Sequence, residues 1–331
     1  MDIKKTNKSK IGFNIRINNN DHALHHFSII IFCMILLSSC AIFQKSDNKS
    51  VPDTQASYKS WINHKSKVII ITGSASGFGK ATAERLIAKG HIVYGGDINK
   101  KGNKYLDKIG GTSLVMDVRK DSQVKAGIQR ILKEQGRIDV LINNAGYGEF
   151  GTIENIKIED IKNQFDVNVF GYARLQQAVL PIMRKQRFGR IILVSSGYGK
   201  FSSPVAGWYA ASKHAVEGMA DALRLEVKQF NIDVVKIQPG ASNTRFLKTA
   251  YARLDQSYIP EDYKQMVSDF RAGLDALIAK AGGPEETADA IVKAVEVEKP
   301  EISYVTMEDA KSFIQKRNSM TEKEFYDMLS K

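Results

Sequence analysis

The apolar positions of this chain fall into short β-branched runs separated by longer stretches of helical spacing. Lys67-Val68-Ile69-Ile70-Ile71 is continuously apolar after its first residue, the pattern of a strand covered on both faces. A helix is predicted from Lys80 to Lys89, ending at Gly90. Further strands are predicted at His91–Gly96, Leu114–Val118, Ile138–Ile142, Arg190–Val194 and Ile232–Ile237. Between them lie helical stretches at about 121–135, 158–187 and 207–230. Strands alternating with helices of this length imply an α/β fold, with a parallel sheet covered on both faces.

The turn after the first strand carries Thr72-Gly73-Ser74-Ala75-Ser76-Gly77-Phe78-Gly79. Glycines there let the backbone approach a pyrophosphate, and the first amides of the following helix point at it. The strand–turn–helix setting is what gives such a string meaning. Asp97 closes the second strand. A carboxylate at that place accepts both ribose hydroxyls of adenosine and repels a 2′-phosphate, which favours NAD(H) over NADP(H). Ser74, Ala75 and Ser76 offer a phosphate no basic group, whereas Lys100 and Lys101 lie nearby. Asp97 also suits a helix N-cap, and the two roles are compatible. Asn143-Asn144-Ala145-Gly146 ends the fourth strand and suits a sharp turn.

Tyr209 and Lys213 are four residues apart in the last long helix and so share a face. A free phenol titrates near about 10, and a fixed ammonium beside it favours the phenolate. Such a pair passes a proton to or from a substrate oxygen. A buried Tyr beside a surface Lys gives the same spacing. Asn168 sits mid-helix in Phe165–Gly171, where its propensity is unfavourable, which makes it a functional candidate. Ser195-Ser196 ends the fifth strand, and Pro239-Gly240 and Thr244 follow the sixth.

Taken in order, TGxxxGxG from Thr72, the acid Asp97, the NNAG string, Asn168, Ser196, Tyr209-xxx-Lys213 and PGxxxT from Pro239 resemble the short-chain dehydrogenase/reductase family. The resemblance covers residues 67 to about 310. It implies a single Rossmann-type, doubly wound α/β domain with a parallel sheet of about seven strands and the site at its C-terminal edge. It implies NAD(P)(H)-dependent hydride transfer between the nicotinamide and a secondary alcohol or ketone. Tyr209 would be the acid/base, and Lys213 would lower its pKa and bind ribose hydroxyls. Ser196, thirteen residues before Tyr209, would hold the substrate oxygen, leaving Ser195 as a backbone or packing residue. Asn168 would hold a water linking the lysine to solvent. Gly73, Ser74, Ser76, Gly77, Phe78 and Gly79 would bind the pyrophosphate end. Asp97, Asp117 and Val118 would meet the adenosine, with Asp117 at the adenine amino group. Asn144, Ala145 and Gly146 would line the cofactor, and Pro239, Gly240 and Thr244 the nicotinamide. The tail from Val297 resembles the branch near the 17β-hydroxysteroid and retinol dehydrogenases. The stretch Arg245–Gly283 carries Phe246, Leu247, Tyr251, Leu254, Tyr258, Tyr263, Met266 and Phe270. It reads either as a lid over an apolar alcohol or ketone or as ordinary helix packing. A rival expectation is a tethered binding or scaffold protein that keeps the fold, binds NAD(H) and lacks catalysis. By family analogy the chain would form a homo-oligomer.

The N-terminal part bears on location. Residues 1–26 are polar and mildly basic, and Phe27–Leu37 is an apolar run. That run is shorter than the roughly 20 residues a spanning helix needs. It leads into Leu37-Ser38-Ser39-Cys40, which resembles a bacterial lipoprotein lipobox with an acylated Cys40. The alternative is an uncleaved anchor from about Phe27 to Phe43. Either puts the chain at a membrane, on a side that the flanking lysines do not fix. NAD(H) is chiefly cytoplasmic, which conflicts with export. Residues 1–40 are thus expected as signal or anchor, 41–65 as a flexible tether and 66–331 as the catalytic domain. Net charge is +12. The positive charges are scattered and no nucleic-acid-binding spacing occurs, so no nucleic-acid partner is expected. Cys33 and Cys40 are the two cysteines, so the domain has no disulfide framework. The six histidines form no ligand pattern, His214 points off the Tyr209/Lys213 face, and no metal is expected.

Overall fold

The computed structural model describes Trp61, residues 64–255 and residues 257–329. The described residues all belong to one compact unit, Asp53–Lys331. The apolar run Phe27–Leu37, Cys33, Cys40 and the expected tether ahead of Trp61 lie outside the described residues. Trp61 itself, expected in the tether, is fully buried and stacks on Phe188 with ring centroids 5.7 Å apart. Among the described residues no helix is long and apolar enough to cross a membrane. Among them, too, no cluster of His, Cys, Asp or Glu is placed to hold a metal.

Seven parallel strands form one sheet in the order β3-β2-β1-β4-β5-β6-β7. They are β1 Val68–Thr72, β2 Ile92–Asp97, β3 Thr112–Val115, β4 Val140–Asn143, β5 Gly189–Val194, β6 Ile232–Pro239 and β7 Ser303–Thr306. The strand order reverses at β1, between β2 on one side and β4 on the other, with Ile69 paired to both Val93 and Val140. Crevices at such a reversal hold ligands beyond the carboxyl ends of the strands.

Alternation along the central strands explains why both faces are dry. Val68 and Ile70 belong to one core with Ile128 and Ile131 of the Asp121–Gln135 helix, Leu175 and Val179 of Gly171–Gln186, and Val216 and Leu223 of Gly207–Val227. Ile69 and Ile71 belong to the other core, with Ala83 and Leu86 of Gly77–Ala88 and Ile291 and Val295 of Glu285–Glu296. Successive side chains of a strand point to opposite faces, so a continuous apolar run needs helices on both.

Two expected elements differ from those observed. The third strand ends at Val115 rather than Val118, because its pairing with β2 ends at Asp97 and the Asp117 N–H is taken by the Gln123 side chain at 2.7 Å. The single helix expected over 158–187 is Ile158–Phe165, a π-helical segment Asp166–Phe170, then Gly171–Gln186. Asn168 lies inside that π segment. Such bulges inside helices are frequent at functional sites.

Candidate active site

β1 ends in a turn where Gly73 and Gly77 have φ of +70° and +54°. That left-handed region costs glycine nothing and other residues strain. A Cβ on Gly79 would collide with the Gly73 carbonyl, so the helix starts hard against the turn. Ser76 is its N-cap, yet its side chain makes no capping bond, and the first-turn amides receive no side-chain acceptor. Gly73, Ala75, Ser76, Gly77 and Phe78 line a cavity of about 1360 Å³. Ser74 and Gly79 turn away from it. The Ser74 hydroxyl is buried and donates to Asn103 Oδ1 at 2.8 Å.

At the end of β2, the Asp97 carboxylate faces this cavity and accepts from the N–H groups of Ala75 at 2.9 Å and Asn99 at 2.7 Å. Asn99, not Asp97, caps the next helical turn by accepting from the Gly102 N–H at 2.9 Å. Beyond β3, Asp117 and Val118 also line the cavity. Both Asp117 oxygens are engaged by Arg119, at 2.9 and 2.8 Å. Those hydrogen bonds lower the Asp117 carboxyl below its usual range. Across the reversal, Asn144 Nδ2 donates to the carbonyls of Thr72 at 2.9 Å and Gly73 at 3.2 Å. That bond ties the end of β4 to the glycine turn, with Ala145 and Gly146 on the cavity wall. Left-handed glycines, a helix start without a side-chain cap and an acid at the end of β2 share one wall, which fits a dinucleotide.

The chemical corner lies at the ends of β4, β5 and β6. Ser196 is extended and caps the 3₁₀ turn Gly197–Gly199, its hydroxyl accepting from the Tyr198 N–H at 3.2 Å. Its hydroxyl donates to the Pro239 carbonyl at 3.5 Å and lies beside the Tyr209 phenol. The Tyr209 ring is boxed by Phe246, Tyr198 and Phe150, with centroids 5.3, 5.9 and 6.0 Å away. Burial pushes the phenol above its ordinary pKa, and the neighbouring Ser196 hydroxyl offsets part of that rise. Lys213 is 4% exposed and donates from Nζ to the Val194 carbonyl at 2.9 Å. Burial pushes it down to about 7, against the pull of Glu217. In each group burial outweighs any influence of the other. Both groups respond first to burial, and Nζ stands 5.8 Å from the Tyr209 ring centroid.

Asn168 does not face solvent. Its Nδ2 donates to the Tyr147 carbonyl at 2.9 Å and to the Ser212 hydroxyl at 3.0 Å, and its Oδ1 accepts from the Tyr147 N–H at 3.1 Å. It holds the loop after β4 against the helix carrying Tyr209. Pro239, Gly240 and Thr244 line the cavity beyond β6, and Thr244 is the N-cap of Arg245–Leu254.

A family profile described as short chain dehydrogenase matches residues 67–256. The chain belongs to the short-chain dehydrogenase family. It is 47% identical over 180 residues to the 3-ketodihydrosphingosine reductase of Bacteroides thetaiotaomicron, covering 54% of this chain and 65% of that protein. The match thus spans just under two thirds of that relative's length. It is 34% identical to the NADPH-dependent 3-dehydrocapnine reductase of Ornithobacterium rhinotracheale, over 71% of this chain and 86% of that one. The crystal structure of a short-chain dehydrogenase from Streptomyces avermitilis is 29% identical with a TM-score of 0.70, covering 80% of this chain and 96% of that one.

In this short-chain dehydrogenase the cavity continues from the chemical corner between two helices, Arg245–Leu254 and Lys264–Lys280. Phe150, Phe246, Leu247, Met266, Phe270 and Leu274 line that part. Leu254 is buried in the cluster beneath it. The tyrosines of the stretch behave differently. Tyr251 donates to Asp275 at 2.9 Å, Tyr263 to Glu154 at 2.7 Å, and Tyr258 is 80% exposed. So part of the stretch lines the cavity and part packs or bonds elsewhere, divided residue by residue.

Several lining residues were not among the sequence candidates: Ala75, Arg119, Tyr147, Phe150, Tyr198, Arg253 and Asp309. Tyr198 and Phe150 had a usable signal, since each lies within a few residues of a matched motif. Arg253 and Asp309 had none, because only the folded chain brings them to the cavity. Behind Lys213, Glu217 is buried one turn further along the same helix. It pairs with Lys200 at 2.7 Å and Lys236 at 3.2 Å and accepts from Gln238 at 2.9 and 3.0 Å. Burial works to raise that carboxyl, but the hydrogen bonds from Lys200 and Gln238 outweigh it and the net shift is down. His214 is exposed and bonds only the Ala210 carbonyl of its own helix, at 2.9 Å.

Proposed function

We propose that this chain is an NAD(P)H-dependent reductase of a long-chain ketone that bears an amine, the class of compound the two named relatives act on. The observation that carries the reading is the convergence of Ser196, Tyr209 and Lys213 at the head of an apolar cavity. The Gly73–Phe78 turn would hold the pyrophosphate, Asp97 the ribose of the adenosine, and Pro239, Gly240 and Thr244 the nicotinamide. When bound, the nicotinamide supplies the hydride. The Ser196 hydroxyl donates to the carbonyl oxygen and fixes it against Tyr209. The Tyr209 phenol gives that oxygen its proton. Burial keeps the phenol protonated at neutral pH, the form a general acid needs. Protonated Lys213 then steadies the phenolate left behind. A scaffold without catalysis would have no use for these groups at one corner.

Tyr209→Phe should lower turnover by roughly 10²–10⁴-fold, the range of general acid catalysis. Nucleotide binding, followed by fluorescence titration, should stay within about twofold. Undiminished turnover on a panel of long-chain ketones would sink the assignment. The place of Asp97 further supports NADH over NADPH, unlike the Ornithobacterium rhinotracheale relative, which is named for NADPH. The ratio of kcat/KM for the two reduced nucleotides decides this, and an equal ratio or one favouring NADPH would reverse it.

A further inference from the structure

Beyond the residues already assigned, one carboxylate reaches the cavity beside the chemical corner. Asp309 lies in the first turn of the helix Glu308–Ser319, which follows β7 directly. Its Oδ2 accepts from the Ala241 N–H at 2.8 Å. Among the described residues no protein donor reaches its Oδ1. The carboxylate rests on the Cα of Gly240, where a Cβ would collide with it, so glycine at that position is what admits the acid to the wall. Ala310, next in the chain, packs against Gly197 of the turn that Ser196 caps. The charge of Asp309 is felt at Tyr198, whose ring meets Tyr209 edge-on at 5.9 Å. Asp309 thus stands between the loop after β6 and the turn after β5, and it lines the cavity.

The apolar walls offer a cation at most the faces of aromatic rings and no opposite charge, so the acids decide where one goes. Of the other acids lining the cavity, Asp97 and Asp117 lie on the wall with the glycine turn and have both oxygens engaged, while Asp262 and Asp269 are exposed, Asp269 being engaged by Gln265 at 2.8 Å. Glu149 is consumed by Arg253 at 2.7 Å. Asp309 is the partly buried one, with an oxygen to spare, next to the groups that hold the reacting carbonyl. We propose that Asp309 is an ammonium subsite, selecting ketones that carry a cationic amine close to the carbonyl. The inference rests on the reductase reading and names the residue that would give it substrate choice. Charge-assisted hydrogen bonds of this kind are stronger than neutral ones, and an unpaired buried charge is costly, so the subsite discriminates both ways.

The test uses the full chain and three ketones of equal length: a 2-amino-3-ketone, its N-acetyl derivative and the ketone without nitrogen. The parent should prefer the free amine by roughly tenfold or more in kcat/KM. Asp309→Asn keeps an acceptor for the Ala241 N–H. It should remove most of that preference while the nitrogen-free ketone stays within about twofold. Asp309→Glu should restore part of it. An equal loss on all three ketones, or a parent with no preference, would overturn the subsite. A second arm reads binding without turnover. A long-chain 2-amino alcohol should raise the melting temperature of the parent more than that of Asp309→Asn, and equal shifts would also overturn it. Asp309-dependent shifts with no ketone reduced by the parent would keep the subsite and remove the reductase reading.

Discussion

Lys213 is the residue at which burial and chemistry pull hardest against each other. Its ammonium is buried and donates to the Val194 carbonyl. Burial holds its pKa near 7, from an ordinary 10.5. The linkage has a definite sign. Below about pH 7 both the folded and unfolded chains carry the proton, and the folded state bears the full cost of a buried cation. Between about 7 and 10.5 only the unfolded chain keeps it, so this lysine makes stability rise with pH over that window. Lys213→Met removes the charge while keeping most of the stem. In protein without nucleotide, the variant should melt above the parent at pH 6, and the gap should narrow steadily toward pH 9.5. A gap independent of pH would mean that the lysine is solvated in the folded state. A gap that widens with pH would give its shift the opposite sign.

At the scale of elements, what the sequence made legible was what local pattern controls. The run Val68–Ile71 reads as a strand buried on both faces because each of its side chains has a helix to meet. Tyr209, Lys213, Val216, Ala220, Leu223 and Val227 follow helical spacing and are all buried, so one helix supplies both core and chemistry. The unfavourable Asn168 lies where the helix departs from α geometry, but spacing alone could not show a π segment. Within that segment Asn168 bonds Tyr147 of another loop, a partner no local pattern reveals. The Ser74 hydroxyl has a partner that was illegible for a similar reason. Nothing near it in the chain shows that Asn103 will accept its hydroxyl. Asp117 was legible as a cavity residue, whereas its engagement by Arg119 follows from a turn that the strand estimate had overrun. Asp309 was not legible at all, since β7 and the glycine at 240 jointly bring it to the wall.

On the scale of the whole molecule, the sheet and the outer helices divide the labour. The carboxyl ends of the sheet and the helix Gly207–Val227 bring Ser196, Tyr209 and Lys213 to one corner. The helices Arg245–Leu254 and Lys264–Lys280 close an apolar space of their own, built on Val205, Leu247, Ala250, Leu254 and Val267. A cavity of about 1360 Å³ exceeds the roughly 300–1,000 Å³ of an ordinary small-ligand pocket, so it has room for a substrate chain beside a nucleotide. The apolar half then has one physical use, which is to take hydrocarbon out of water. Each methylene buried contributes about 0.8 kcal/mol, or roughly fourfold in kcat/KM. Across ketones of increasing length, kcat/KM should climb by about that factor per methylene and level off once the chain emerges between the outer helices. Phe270→Ala, which opens the wall against Phe150 at 5.4 Å, should flatten the climb for long chains and leave short ketones nearly unaffected. A rate independent of length from the shortest member onward would mean that hydrocarbon does not enter this half, and the lid would then be packing alone.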